Sequence, residues 1–147
     1  MTVVVQRSID IDAPLAAAWA VISDVERWPE WTASMRSARR TRTGPLAIGE
    51  RVVVAQPRLP TVTYTVTAID PGRSFTWEAG NALSYGIGEH ALTPRVGGGC
   101  TATLRVVQRG PAAPVAALLL RRIAHRYVRM EAEGLKAQSE TGAGTIR

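Results

Sequence analysis

An α+β fold, with one curved antiparallel sheet around a long C-terminal helix, is predicted by three observations. An alternating strand pattern opens the chain. From Arg36 to Arg109, runs of alternating apolar and polar residues follow one another across short turns. A single helical stretch, Ala112 to Gln138, closes the pattern. Strands joined in sequence by tight turns form an antiparallel meander, and helices grouped at the ends of a meander make an α+β plan. The apolar face of that sheet needs a cover, and the last helix is the only large apolar element available.

Val3 to Asp12 reads as the first strand, ended by Asp12-Ala13-Pro14. Proline is favoured just inside a helix start, so Leu15 to Ile22 reads as a short helix. Ser23-Asp24 caps a second one, Val25 to Trp28, broken by Pro29. A weak strand, Ser37 to Arg42, comes next, and the valine run Arg51 to Gln56 suits a sheet. Val62 to Ile69 alternates cleanly, with Val62, Tyr64 and Val66 on one face. Asp70-Pro71-Gly72 is a tight turn. Ser74 to Ala79 sets Phe75 and Trp77 on one face. Leu83 to Leu92 is a glycine-interrupted strand, and Thr101 to Arg109 alternates after the Gly97-Gly98-Gly99 turn. On the last helix, Ala116, Leu120, Ile123, Tyr127, Met130 and Gly134 form one stripe, with Arg122, His125, Arg126 and Arg129 on the far side. One domain, residues 1–138, is expected, and the polar, glycine-containing segment 139–147 reads as a disordered tail.

Bulk composition narrows the function. With 147 residues, 46% hydrophobic and 20% charged, the chain is long enough to bury roughly 70% of its unfolded surface, and its composition argues against disorder. One cysteine, Cys100, forms no internal disulfide framework and gives no metal-ligand spacing. No metal or cofactor is expected. The net charge of +6 raises nucleic acid as a partner, but the arginines are scattered or in short clusters without interleaved aromatics, so no nucleic acid is expected. No run approaches the ~18 apolar residues of a membrane span, and the N-terminus lacks the pattern of a signal peptide. The expected location is the cytoplasm, without integral membrane association, and homodimerisation is left open.

Small side chains dominate the predicted inner wall, which holds many alanines and valines and one phenylalanine. They leave room for a guest. Gly80, Gly86 and Gly88 remove side chains from strands and permit close approach. His90 shares strand parity with Gly88 and Leu92, so it faces inward if Leu92 does, as a hydrogen-bonding group or a general acid or base. Tyr127 sits on the inward stripe and is the other catalytic candidate. The candidate lining is Trp19, Trp31, Val54, Gln56, Tyr64, Val66, Trp77, Gly88, His90, Leu120, Ile123 and Tyr127. Glu78 and Glu89 fall on the solvent side and do not form an acid/base pair. No phosphate loop, nucleophile elbow or metal cluster appears.

Ile11-Asp12-Ala13-Pro14 with Trp19, the segment Asp24 to Trp31 with its Trp28-Pro29-Glu30-Trp31, Gly49, Val66 to Arg73, Phe75-Thr76-Trp77 and Glu89 to Pro94 occur in an order that resembles the START-like (SRPBCC) superfamily, above all its polyketide cyclase/dehydrase and lipid-transport group. The resemblance covers residues 3 to 138. It implies a helix-grip fold, in which a seven-stranded sheet grips the C-terminal helix and encloses a ligand tunnel, with two short helices between strands 1 and 2. The superfamily hosts several functions, and fold alone does not choose among them. Three are weighed: binding of a small hydrophobic ligand such as a lipid or polyketide, a cyclase/dehydrase-like enzyme, and a regulatory partner that docks through the arginine face of the last helix.

Overall fold

The computed structural model describes residues 2–145. Its elements run β1 (Thr2–Ile11), α1 (Leu15–Ile22), a 3-10 helix (Val25–Glu30), β2 (Ser37–Arg40), β3 (Arg51–Ala55), β4 (Val62–Asp70), β5 (Ser74–Gly80), β6 (Tyr85–Pro94), β7 (Cys100–Arg109) and α2 (Ala113–Thr145). All seven strands form one antiparallel sheet in the order β1-β7-β6-β5-β4-β3-β2. It is the expected meander, with β1 returned to the far edge beside β7. Gly72, at φ +85, supplies the left-handed residue that closes the β4–β5 turn. This is the seven-stranded helix-grip architecture.

The concave face carries the core. Val52, Val54, Val66, Phe75, Leu92, Ala102 and Leu104 point inward from consecutive strands, and α2 covers them with Val128, Ala132 and Leu135. Each of the valine, leucine and phenylalanine side chains among them, fully buried, contributes about 1.5–3 kcal/mol. Trp28, buried in the 3-10 helix, donates its indole N–H to the Ile22 carbonyl at 2.9 Å and so locks that helix against α1. At the β2–β3 edge, Glu50 is buried and accepts from Arg40 Nε and, at 2.8 Å, from Arg40 Nη2. Burial alone would raise the Glu50 carboxyl, but the Arg40 hydrogen bond and charge and the Ala47 N–H hold it below its ordinary value.

Several expected boundaries move. Helix α2 does not stop at Gln138. It continues through Thr145, so the expected tail over 139–147 is helical where it is described, and Ile146 and Arg147 lie outside the described residues. Ser139 is fully buried, and Glu140 accepts from the Asp12 amide at 2.8 Å and from Lys136, which makes this end a docked turn. The buried stripe of α2 is Ala113, Ala117, Val128, Ala132, Leu135 and Ser139. At 100° per residue this lies roughly 110° around the helix from the predicted stripe, and Tyr127 is shared by its flank. Strand β2 ends at Arg40, and β6 begins at Tyr85 because Asn81 Oδ1 accepts from the Leu83 and Ser84 amides and holds 81–84 as a turn. Asp24 does stand before the 3-10 helix, but its side chain makes no capping bond, and the position before α1 is taken by Pro14.

Gly134 marks a close approach between α2 and the segment after the 3-10 helix. A Cβ there would lie 2.1 Å from the Trp31 carbonyl oxygen. The absent side chain is what lets the helix lie against the Trp31 backbone.

Candidate functional site

A cavity of about 140 Å³, partly open to solvent, lies between the sheet and the first half of α2. Its floor comes from Val54 on β3, Tyr64 on β4, Trp77 on β5, Gly86, Gly88 and His90 on β6, and Leu104, Val106 and Gln108 on β7. Its roof is α2, with Leu120, Ile123, Ala124, Tyr127, Val128 and Glu131. Gln56, Leu59, Trp28 and Met35 complete the wall.

That volume is smaller than the sparse inner wall predicts. Ligand pockets usually measure ~300–1,000 Å³. Here aromatic rings occupy the space that the valines and alanines leave. Trp28 packs on Trp31 at 5.2 Å and on Trp77 at 5.6 Å between centroids, and Tyr64 stacks on Trp77 at 4.8 Å. Phe75 and His90 stack at 4.2 Å. Gly88 makes this packing feasible, since a Cβ on it would lie 2.7 Å from Trp77 Nε1. The remaining space suits one ring, about the size of the dry engineered cavity of roughly 150 Å³ that accepts benzene.

Nine of the twelve expected lining residues border the cavity: Val54, Gln56, Tyr64, Trp77, Gly88, His90, Leu120, Ile123 and Tyr127. The other three do not. Val66 is buried in the core, Trp19 packs edge-on to Phe75, and Trp31 lies behind Trp28 and borders a separate surface hollow.

His90 is 6% exposed and faces inward, as its parity with Leu92 predicts. Its Nδ1 lies 3.2 Å from the Phe75 carbonyl oxygen. A carbonyl only accepts, so Nδ1 carries the hydrogen and Nε2 is left as the basic nitrogen. Desolvation pushes the ring down to about 4, against a smaller upward pull from the Phe75 bond, so it is neutral at pH 7. Tyr127 is less available for chemistry. Its ring lines the cavity, but its hydroxyl donates to the Pro57 carbonyl and fastens α2 to the 56–61 loop.

Glu131 was not among the sequence candidates. Burial pushes its carboxyl up to about 7, and the Ser34 hydroxyl, donating to Oε2 at 2.9 Å, pulls it only part of the way back. Ser34 is buried and shares a 2.8 Å hydrogen bond with the Thr32 hydroxyl, and its carbonyl accepts from Gln56 Nε2 at 3.2 Å. The signal was present in the helix, where Glu131 falls four residues after Tyr127 and so one turn along the same flank. Gln108 was also missed. It is buried, it borders the cavity beside Gly86, and its Oε1 accepts from the Ser84 hydroxyl at 3.0 Å. Tyr64 is raised to about 12, first by burial and then by the Glu131 charge, so its phenol stays protonated. Glu89, expected on the solvent side, pairs with Arg105 at 3.8 Å, and both also border the cavity.

The site is therefore a small aromatic box in which His90 and Tyr64 are uncharged near pH 7, Glu131 titrates in that range, and the Glu89–Arg105 pair stands at the border. Among the described residues no cluster of histidine, cysteine or carboxylate side chains could hold a metal ion. Among the described residues, no helix is long and apolar enough to cross a membrane.

The family described as polyketide cyclase / dehydrase and lipid transport matches residues 2–140. No curated protein matches the chain in sequence. Solved structures share the fold. A hypothetical protein, jhp0584 from Helicobacter pylori, superposes with a TM-score of 0.77 at 11% identity, over 91% of this chain and 86% of its own. The Zhui aromatase/cyclase from Streptomyces sp. R1128 gives 0.69 at 16% identity, over 92% of each chain. The di-domain ARO/CYC StfQ from the steffimycin biosynthetic pathway gives 0.69 at 17% identity, over 98% of this chain and 53% of that one, so this chain spans about half of it.

Proposed function

Because the chain belongs to the polyketide cyclase / dehydrase and lipid transport family, we propose that it binds one small, uncharged, mostly apolar molecule in the cavity under α2. The observation that carries this reading is the placement of Glu131 and His90 in one aromatic box of about 140 Å³. Desolvation favours the neutral form of both groups. The charged side chains that border the cavity, Glu89 and Arg105, pair with each other at 3.8 Å, so a guest carrying a full charge would lose its hydration for little return. A guest with one carbonyl or hydroxyl could instead accept a hydrogen bond from protonated Glu131 or donate one to His90 Nε2. A long acyl or polyketide chain would have to displace Trp77 or Tyr64, so a compound with a single ring is the better fit.

Native mass spectrometry of the purified protein, with solvent extraction of any bound molecule, tests the reading first. Thermal melting with a panel of uncharged one-ring ketones and phenols tests it second. Ligand at 100 times its Kd should add about 2.7 kcal/mol of stability, and Leu120→Trp, which fills the roof, should remove the gain. If nothing co-purifies and no member of the panel stabilises the protein, the reading fails.

A second reading, a cyclase/dehydrase-like enzyme, is favoured by one specific observation. Glu131 is raised to about 7 and His90 is lowered to about 4 within the same enclosure, and groups whose environments push them in opposite directions are natural acid and base partners. In that reading His90 Nε2 takes the proton from a carbon next to a carbonyl, the C–H electron pair forms the new C=C bond, and Glu131 gives its proton to the carbonyl oxygen. NMR detection of deuterium entering that carbon of a bound ketone checks it. Exchange should fall in both His90→Phe and Glu131→Gln and persist in Tyr127→Phe.

A further inference from the structure

We propose that the outward stripe of α2 docks on an anionic membrane surface. Val115, Leu118 and Leu119 are 61%, 71% and 78% exposed. At 100° per residue they share an arc of about 100° with Arg122, Arg126 and Arg129, which are also exposed. The stripe is therefore apolar over its first turns and basic over the next two. Leu83, 66% exposed, extends the apolar part, because its carbonyl accepts from the Ala112 amide at 2.8 Å and sits against the start of the helix.

The occupant follows from charge. Between Pro111 and Met130 the sequence holds no aspartate or glutamate. The first acid, Glu131, is turned into the cavity. The ion pairs of the described residues involve none of Arg122, Arg126 or Arg129. A second copy of this stripe would offer only more arginines and leucines, so parallel pairing would oppose like charges and antiparallel pairing would bury arginines against leucines. A bilayer with anionic headgroups satisfies both halves: aliphatic side chains enter the acyl boundary while guanidinium groups stay at the phosphates. The helix lies on such a surface and does not span it. The inward side of the same helix, with Leu120 and Ile123, lines the cavity, so this orientation sets the cavity roof against the membrane.

Co-sedimentation of the full chain with vesicles tests the proposal. The protein should bind phosphatidylcholine vesicles containing phosphatidylglycerol, and bind pure phosphatidylcholine at least about tenfold more weakly. High salt should weaken the binding. The double variants L118S/L119S and R122Q/R126Q change only exposed positions. Each should lose most of the vesicle binding while keeping the wild-type melting temperature and ligand stabilisation, which separates this proposal from the cavity function. Failure to bind anionic vesicles, equal binding to neutral ones, or binding that neither double variant reduces would overturn it. A dimer that L118S/L119S dissociates, without vesicle binding, would assign the stripe to a second copy and also overturn it.

Discussion

The ring of His90 lies flat against Phe75, 4.2 Å between centroids, and bonds through Nδ1 to the carbonyl of that same residue at 3.2 Å. The two are register partners across β5 and β6, so the strand ladder itself orients the imidazole. Its environment also sets its charge. The folded ring titrates at about 4 against an ordinary 6.5. Below pH 6.5 the unfolded chain takes up this proton first, so folded stability falls as pH drops from about 6.5 to about 4 and then levels. The loss from this group is on the order of 3 kcal/mol. Urea unfolding at pH 7 and pH 4.5 should show it as a difference between wild type and His90→Gln, and an equal pH dependence in the two proteins would sink the assignment.

Glu131 has the opposite sign. Its folded carboxyl titrates at about 7 and its ordinary value is 4.5. As pH rises through 4.5 the unfolded chain ionises while the folded one holds its proton, so stability falls until about pH 7 and is flat above. Glu131→Gln keeps a partner for Ser34 without the charge. We expect it to be more stable than wild type at pH 8 by roughly 1–3 kcal/mol and equal within error at pH 4. Denaturation curves at the two pH values decide.

The Arg40–Glu50 pair predicts an asymmetry between single and double variants. Glu50 is 2% exposed and accepts two hydrogen bonds from one edge of the Arg40 guanidinium, from Nε and Nη2. Arg40→Leu leaves a buried carboxylate without its counter-charge and should cost about 3–5 kcal/mol at pH 7. Adding Glu50→Leu should restore most of that loss, because two apolar groups replace the pair. A double variant as unstable as the single one would show that packing, not charge, governs the site.

Gly134→Ala tests the contact between α2 and the Trp31 backbone. Alanine is the better helix former by about 1 kcal/mol, so an unhindered site would be stabilised. Here the added Cβ meets a carbonyl oxygen at 2.1 Å, and the backbone cannot rotate away as a side chain could. We expect a net loss of about 1–3 kcal/mol and a shift in tryptophan emission as Trp31 moves. Stabilisation would contradict the packing.

The meander from β2 to β7 and the inward direction of His90 were legible because short turns pair neighbouring strands and a period of two leaves little freedom: once Leu92 is inside, His90 is inside; the return of β1 to pair with β7 was not. Helix phase was harder. The predicted stripe of α2 relied on Leu120, Ile123 and Met130, while the true one runs through Ala113, Ala117, Ala132 and Ser139, whose small side chains give weak hydropathy. That rotation is what hid Glu131. The helical end beyond Gln138 was unreadable for another reason, because its support, Glu140 on the Asp12 amide, joins residues far apart in sequence. Tyr127 was placed correctly, but the Pro57 carbonyl that takes its hydroxyl proton lies in a distant loop. Cavity size also depends on three dimensions. Counting small residues could not show that Trp28, Tyr64 and Trp77 converge on one layer.

The pairing of β1 with β7 joins Ile11 to Cys100 and Thr2 to Gln108. A ribosome working at roughly 5–20 residues per second exposes the first strand many seconds before its only sheet neighbour exists. During that interval Val3, Val4 and Val5 form an unshielded edge, the kind of segment that invites other nascent chains. The first strand is therefore the segment a holdase chaperone would have to shield until β7 emerges, and a circular permutant that carries β1 behind a linker after α2 would remove that interval.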